Sequence, residues 1–145
     1  MMTVRNLLDG KGRFVSSIGS NVRVQDVVDQ LETDDVAALV VTDDNERLLG
    51  IISGRDIVRG VKQFGPEVAN RPVGDLMTRR VITCDIGEPL EEILNLMDTH
   101  QIRHVPITDD GNLCGIINML DVVKYRLKEI QTEAEALKEY VAGSA

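Results

Sequence analysis

Two aspartates stand at matching places in the chain, each shortly after an apolar run. Asp56 follows Gly50-Ile51-Ile52, and Asp121 follows Gly115-Ile116-Ile117. A carboxylate can accept two hydrogen bonds from a ribose cis-diol, and a charged acceptor makes stronger hydrogen bonds than a neutral one. The pattern makes Asp56 and Asp121 candidate ribose-binding residues.

The residue three positions before each aspartate is also polar. Ser53 stands where a strand gives way to a helix, so its hydroxyl can reach a sugar or phosphate. The first N–H groups of that helix have no partner within it, so they can also bind an anion. Asn118 takes the same place before Asp121, and its amide can cap a helix or bond to a ligand. Plain helix capping is the alternative interpretation of all four residues.

Cations near these segments are candidates for binding phosphate. Arg103 and His104 begin an apolar run, whereas the corresponding positions 37–38 are alanines. A guanidinium can bind phosphate through two hydrogen bonds, and a histidine adds a donor that strengthens as pH falls. Arg55 and Arg59 lie one helical turn apart beside the first aspartate, so they can face the same cleft. A solvated charged surface is the alternative for Arg59 and Arg103.

The sequence offers little for a metal ion or a disulfide framework. His100 and His104 are four residues apart, but a helix end and a strand start lie between them and no third ligand accompanies them. Cys84 and Cys114 are too few for a disulfide framework, and they fit small core residues in a reducing compartment. We therefore expect no metal.

These residues belong to an internal repeat. Thr42-Asp43-Asp44 recurs as Thr108-Asp109-Asp110, and residues 48–58 recur, with one residue deleted before them, as 113–123. The deletion falls in a polar stretch, where a hairpin tip tolerates a change in length. The chain therefore contains a duplicated unit.

Each copy has the same order of predicted elements. Apolar residues at helical spacing predict helices over 24–31 and 90–97, and second helices over 55–63 and from 121 onward. Predicted strands cover 14–18, 36–41 and 48–52 in the first copy and 80–84, 102–107 and 113–117 in the second. The fold class is α/β (α+β), with two pseudo-symmetric repeats of strand, helix, strand, strand and helix.

Glycine and proline between Phe64 and Pro72 separate the copies, so we divide the chain into 1–66, 67–123 and a helical extension over 124–145. A unit of about 60 residues is marginal alone, so the repeats should share an interface, with sites in the clefts between them.

The composition excludes several classes of protein. The chain has 24 acidic and 16 basic residues and only 3% aromatic residues, which argues against a nucleic-acid polymer as partner. No apolar run approaches the roughly 20 residues that span a bilayer, and charges and glycines interrupt the N-terminal stretch before a signal-peptide core could form. We expect a cytoplasmic protein without a membrane partner.

The C-terminal extension carries a heptad pattern on one long helix. Its apolar positions alternate steps of four and three residues, and they are Val123, Leu127, Ile130, Ala134, Leu137 and Val141. Such a stripe exceeds what one repeat needs to cover its sheet, so another subunit or the neighbouring repeat is its expected target. Packing on the chain's own N-terminal segment is the alternative.

The motifs resemble those of cystathionine-β-synthase (CBS) domains. Segments 50–56 and 115–121 are similar to the family's pattern of glycine, two apolar residues, Ser or Thr, two variable residues and Asp. Val73-Gly74-Asp75-Leu76-Met77 resembles the opening of such a repeat, and Ile102-Arg103-His104-Val105-Pro106-Ile107 resembles its central strand. Residues 4–123 therefore resemble a tandem CBS pair, or Bateman module, of the stand-alone bacterial type.

This resemblance implies an adenosine-containing ligand, such as AMP, ADP, ATP, NAD or S-adenosylmethionine, bound in clefts between the repeats. It implies that Arg55 and Arg103 act on ligand phosphates. The remaining positions implied for the ligand site are Ser17, Ile18, Thr83 and Cys84 around the base, and Val105 and Pro106 beside His104. Asn118 departs from the family's Ser or Thr, which leaves the affinity of the second site open.

Together these features predict a non-catalytic regulatory sensor that binds an adenine nucleotide, uses no catalytic cofactor and forms a homodimer through its repeats and C-terminal helix. The alternative is a structural dimerisation module with degenerate, unliganded clefts. A nucleotide-hydrolysing enzyme is disfavoured because the sequence offers no paired nucleophile and base.

Overall fold

A computed structural model describes residues 2–143, which form two halves of the same construction. The first half contains β1 (Ser17–Gly19), α2 (Val24–Asp34), β2 (Ala38–Thr42), β3 (Leu48–Ser53) and α3 (Gly54–Phe64). The second contains β4 (Cys84–Asp85), α4 (Leu90–His100), β5 (His104–Asp109), β6 (Asn112–Asn118) and α5 (Met119–Gly143). Helix α1 (Val4–Lys11) precedes both halves, and the 3₁₀ segments Gly65–Asn70 and Val73–Asp75 connect them. The predicted fold class and the duplication are confirmed.

The two sheets have the same topology and the same register. In each sheet the central strand, β2 or β5, pairs parallel with the first strand and antiparallel with the third. Ala38 lies opposite Ser53, and His104 lies opposite Asn118. The strand pairing that leads into each candidate aspartate therefore matches in the two repeats, although the second hairpin extends further, to Asp109 opposite Asn112.

Most predicted boundaries differ from the structure by one to three residues, and the first strand of each repeat and helix α5 show why. Strands β1 and β4 are shorter than the predicted runs 14–18 and 80–84, because only Ser17–Gly19 and Cys84–Asp85 pair with a central strand. Helix α5 begins at Met119, two residues earlier than predicted, and continues into the extension as far as Gly143, while residues 144–145 of the predicted extension lie outside the described residues. No glycine or proline interrupts residues 119–142, so the second repeat's last helix and the tail form one helix.

The segments outside the repeats cross between them. The α1 residues Val4, Leu7 and Leu8 are buried in the core of the second repeat, whereas Val73 and Met77 complete the core of the first. Matching backbone hydrogen bonds hold both segments: Val4 N–H donates to Glu88 O, and Val73 N–H donates to Val22 O. The proposed division at residue 66 separates the repeats along the sequence. In the structure, however, each repeat's core includes a segment from the other side of that division.

The same crossing caps the helices α2 and α4. The Val24 N–H donates to Arg71 O, and the Leu90 N–H donates to Met2 O. These helices have no side-chain cap at Arg23 or Pro89, since a backbone carbonyl from the crossing segment satisfies the first donor. Over residues 2–143, no helix combines the length and apolar character that a membrane span requires.

Candidate functional site

A cleft of about 1220 Å³ lies between the repeats. The first repeat contributes the start of α3, with Ser53, Gly54, Arg55, Asp56 and Arg59, while the second contributes the segment from the end of α4 into β5, including Arg103 and His104. The apolar lining comes from both repeats and comprises Leu31, Val36, Ile51, Leu94, Met97, Ile102 and Met119. The structure thus brings together five of the predicted site residues: Ser53, Arg55, Asp56, Arg103 and His104.

Asp56 is buried at the start of α3 and faces this cleft. Its Oδ2 accepts hydrogen bonds from the Ser53 N–H at 3.0 Å and from the Ser53 hydroxyl at 3.2 Å, within a capping box. Its Oδ1 accepts the Thr78 hydroxyl at 2.9 Å. The carboxylate is held firmly, and an ionised carboxylate has about four acceptor positions, so it retains capacity for a further donor.

Asp121 is held by a different set of partners. The Asn118 N–H donates to Asp121 Oδ2 at 2.9 Å, and the Asp121 N–H donates back to Asn118 Oδ1 at 2.8 Å. The Lys11 ammonium of α1 forms an ion pair with Asp121 Oδ2 at 2.5 Å. Asn118 and Asp121 therefore cap the start of α5. Neither residue belongs to the lining of the cleft described above.

The cleft concentrates positive charge in an acidic chain. Arg55, Arg59 and Arg103 line it with exposed side chains, against the carboxylates Asp56 and Asp98. The Arg59 guanidinium lies 3.9 Å from Asp56 Oδ1, a contact long enough to leave it available for another anion. Arginines from both repeats could therefore meet one phosphate group.

His104 lies half-buried at the start of β5. Burial lowers its pKa below 6.5, and the positive charge of Lys11 lowers it further, while Asp121 opposes the shift. The imidazole is consequently neutral near pH 7 and gains its second donor only under acidic conditions.

The residues implied to surround a base lie outside the cleft lining. Ser17 and Ile18 are in β1, and Thr83 precedes β4. Cys84 belongs to the second repeat's core, where burial and then Glu88, Glu92 and Asp85 raise its thiol pKa to about 11. Val105 and Pro106 are buried within β5.

Sequence reasoning did not identify Thr78 or Lys11 as partners of the aspartates. Similarity between the segments starting at Val4 and Val73 could have indicated that both bind a hairpin, since Leu7 and Leu76 also match. It could not have indicated Lys11, because Lys11 and Thr78 do not occupy matching positions in those segments. Within the described chain, no group of three or more His, Cys, Asp or Glu residues could hold a metal ion.

Comparisons with known proteins agree with this architecture. The CBS domain family matches residues 13–63 and 73–128. A CBS-domain-containing protein from Agrobacterium tumefaciens is 35% identical, with a TM-score of 0.83 over 86% of this chain and 92% of that one. The CBS domain pair of protein MJ0100, solved with 5-methylthioadenosine and S-adenosyl-L-methionine, is 25% identical, with a TM-score of 0.75 over 86% of this chain and 98% of that one.

Inosine-5'-monophosphate dehydrogenase of Nitrosopumilus maritimus is 34% identical over 107 residues, which are 73% of this chain but 21% of the enzyme. The chain thus spans about a fifth of that enzyme and matches it only through the CBS part. The paired hairpins, the crossing segments and the matches to both repeats lead to one conclusion: this chain belongs to the CBS domain family, as a pair of CBS domains of the kind that serves as a regulatory module.

Proposed function

We propose that this protein is a non-catalytic sensor that binds an adenosine-containing nucleotide in the cleft between its two repeats. The observation that carries the proposal is the meeting of a fixed carboxylate, Asp56, with arginines from both repeats in one cavity. A buried, hydrogen-bonded acceptor suits a ribose diol, and paired guanidinium groups suit the phosphate attached to it.

The walls of the cleft support the choice of a nucleoside. Its apolar lining is aliphatic, with Val36, Ile51 and Ile102 among the residues that could sandwich a flat base. Among the described residues, no Phe, Tyr or Trp lines this cleft, so we propose that adenine is recognised mainly by aliphatic contact and backbone groups. The related MJ0100 pair, whose bound ligands both contain adenosine, supports this ligand class.

AMP, ADP, ATP, NAD and S-adenosylmethionine remain the proposed ligands, with no catalytic cofactor. We also propose a homodimer formed by the repeats and α5, which is supported by the exposed apolar stripe on that helix. The proposed location is the cytoplasm, where the free thiols of Cys84 and Cys114 would stay reduced.

The capping role of both aspartates favours an alternative function, that of a structural dimerisation module with unliganded clefts. Asp56 and Asp121 each stabilise the start of a helix, which would suffice to explain their presence in a purely structural dimerisation module. The two functions differ in whether the cleft binds ligand.

Thermal unfolding with AMP, ADP, ATP, NAD and S-adenosylmethionine tests the proposal. A ligand that binds only the folded protein, present at 100 times its Kd, should raise Tm by about 5 to 10 °C. Asp56→Asn should abolish most of that rise, because the amide is a weaker acceptor of nearly the same shape. Asp26→Asn, in the first turn of α2, is the matched control and should respond like the wild type. No rise with any ligand would favour the structural module.

The phosphate contact has a separate test. Arg103→Met should weaken AMP binding about 10- to 100-fold, the range expected for loss of a charged hydrogen bond, while adenosine binding changes little. Calorimetric titration with both ligands measures the difference. Equal weakening of AMP binding and adenosine binding would contradict the proposed contact between Arg103 and the phosphate.

A further inference from the structure

The two candidate aspartates have equivalent positions, but a neutral residue contacts one of them and a cation contacts the other. In the first repeat, Thr78 supplies two neutral donors: its N–H binds Ile51 O at 2.9 Å and its hydroxyl binds Asp56 Oδ1 at 2.9 Å. In the second repeat, a single cation supplies both donors.

That cation is Lys11, whose Nζ lies 2.6 Å from Ile116 O and 2.5 Å from Asp121 Oδ2. Ile116 is the counterpart of Ile51, since each pairs with the third residue of its central strand, Pro106 or Val40. One ammonium group thus contacts the backbone carbonyl and the carboxylate that correspond to those bound by the Thr78 N–H and hydroxyl. It shares Asp121 Oδ2 with the Asn118 N–H, whereas Thr78 binds the oxygen of Asp56 that Ser53 does not.

Lys11 is brought to this position by a firmly packed element. The α1 residues Val4, Leu7 and Leu8 are fully buried in the second repeat's core, and the Gly12 N–H closes the helix on Leu8 O. Lys11 lies in the last turn, with its side chain 28% exposed against 19% for Asp121. The ion pair is therefore partly shielded from solvent, so its attraction is stronger than that of a fully exposed pair.

We propose that Lys11 is an internal occupant of the second aspartate, so that the chain binds one adenosine-containing ligand, at Asp56, and keeps Asp121 closed. This inference rests on the proposed function and specifies its stoichiometry. A neutral diol would have to compete with an ammonium in direct contact with Asp121. At Asp56 the hydrogen-bond donors are neutral and the only nearby cation, among the ion pairs of the described residues, is Arg59 at 3.9 Å.

Calorimetric titration with AMP, repeated with S-adenosylmethionine, tests the closure. The wild type should bind one equivalent, and Lys11→Met should bind about two. Lys11→Gln serves as a second neutral variant in case the methionine impairs folding. Arg5→Met removes one charge from the exposed face of the same helix and should remain at one equivalent. The double variant Lys11→Met/Asp121→Asn should return from two equivalents to one.

Two equivalents in the wild type, or one equivalent in both neutral Lys11 variants, would overturn the closure. A second equivalent that survives the double variant would place the new site elsewhere and also overturn it. If the wild type binds neither probe, the proposed function at Asp56 fails. In that case, binding of one equivalent by Lys11→Met would still support the role of Lys11. If Lys11→Met also binds no ligand, the proposed closure by Lys11 is overturned as well.

Discussion

At the residue scale, His104 shows how burial decides what a titratable group can do. Its position at the start of β5 was predicted to place a donor beside a phosphate. Because burial and Lys11 lower its pKa, the ring carries no charge near neutrality and contributes one N–H donor. The arginines, rather than this histidine, then carry the positive charge of the cleft.

The lowered pKa predicts a dependence of stability on pH. As pH falls past 6.5, His104 takes up a proton in the unfolded chain before it does so in the folded one. The contribution of His104 to the free energy of unfolding should therefore be complete above pH 6.5 and be lost as pH falls from 6.5 to the lowered folded pKa. His104→Gln should lose less stability over this range in urea unfolding followed by circular dichroism.

His100→Gln is the matched control, since it removes the other imidazole from the exposed end of α4. It should keep the pH dependence of the wild type. If His104→Gln and the wild type lose the same free energy between pH 7.5 and 5.5, the histidine is not desolvated.

The two cysteines should differ in reactivity. Cys84 is 5% exposed with a thiol pKa of about 11, so only about one molecule in a thousand is thiolate at pH 8. Cys114 is only half-buried, although burial also raises its pKa. Iodoacetamide should therefore modify Cys114 well before Cys84 in the folded protein, as peptide mass spectrometry would measure. Equal rates would contradict the buried position of Cys84.

At the element scale, the glycine that opens each motif has a packing explanation. A Cβ at Gly50 would lie 2.8 Å from the Thr78 carbonyl oxygen, and one at Gly115 would lie 2.8 Å from Leu8 Cδ2. The crossing segments thus press directly on the third strand of each sheet. At both positions, the close approach of a crossing segment explains the glycine, and no turn conformation is involved.

These contacts predict unequal costs for the same substitution. Gly50→Ala should destabilise the fold by about 1 to 3 kcal/mol, because the Thr78 carbonyl is fixed by the Ile51 N–H. Gly115→Ala should cost less, since the atoms it meets are the terminal methyl groups of Leu8, which can shift more readily than a backbone carbonyl. Urea unfolding of the two variants measures the difference, and a larger loss for Gly115→Ala would show that α1 is the more rigid partner.

The sequence predicted the repeated hairpins and helices because their periodicity is local. Residues 48–52 and 113–117 are short apolar runs that follow an acidic turn and a second apolar run, an arrangement typical of a hairpin. The crossing of α1 to the second repeat was not predictable in this way, since contact between Leu8 and Gly115 depends on packing across the whole chain. For the same reason Asp121 was predicted as a binding residue without its ion-pair partner Lys11.

At the scale of the whole molecule, α5 extends far beyond the repeats. Its first turns pack on α1, with the Tyr125 hydroxyl 3.8 Å from Met2 Sδ, so the alternative of packing on the N-terminal segment describes this part of the helix. Further along, Leu127, Ile130 and Leu137 are more than half exposed on one face. A second copy of the helix is the proposed cover for this face.

Charge on that face should separate the subunits. Ile130→Asp/Leu137→Asp should convert the proposed dimer to a monomer in sedimentation velocity, because each aspartate would have to be buried without a partner. Gln131→Asp adds the same charge to a polar position of the helix and should leave the dimer intact. A monomeric wild type would refute this arrangement.

The central claim is that the cleft between the repeats holds an adenosine-containing ligand through Asp56. A crystal structure with AMP at saturating concentration tests it most directly. We predict AMP in this cleft, with ribose hydroxyls within hydrogen-bonding distance of the Asp56 carboxylate and the phosphate facing Arg55 and Arg103. An empty cleft, or AMP bound with its ribose away from Asp56, would contradict the account.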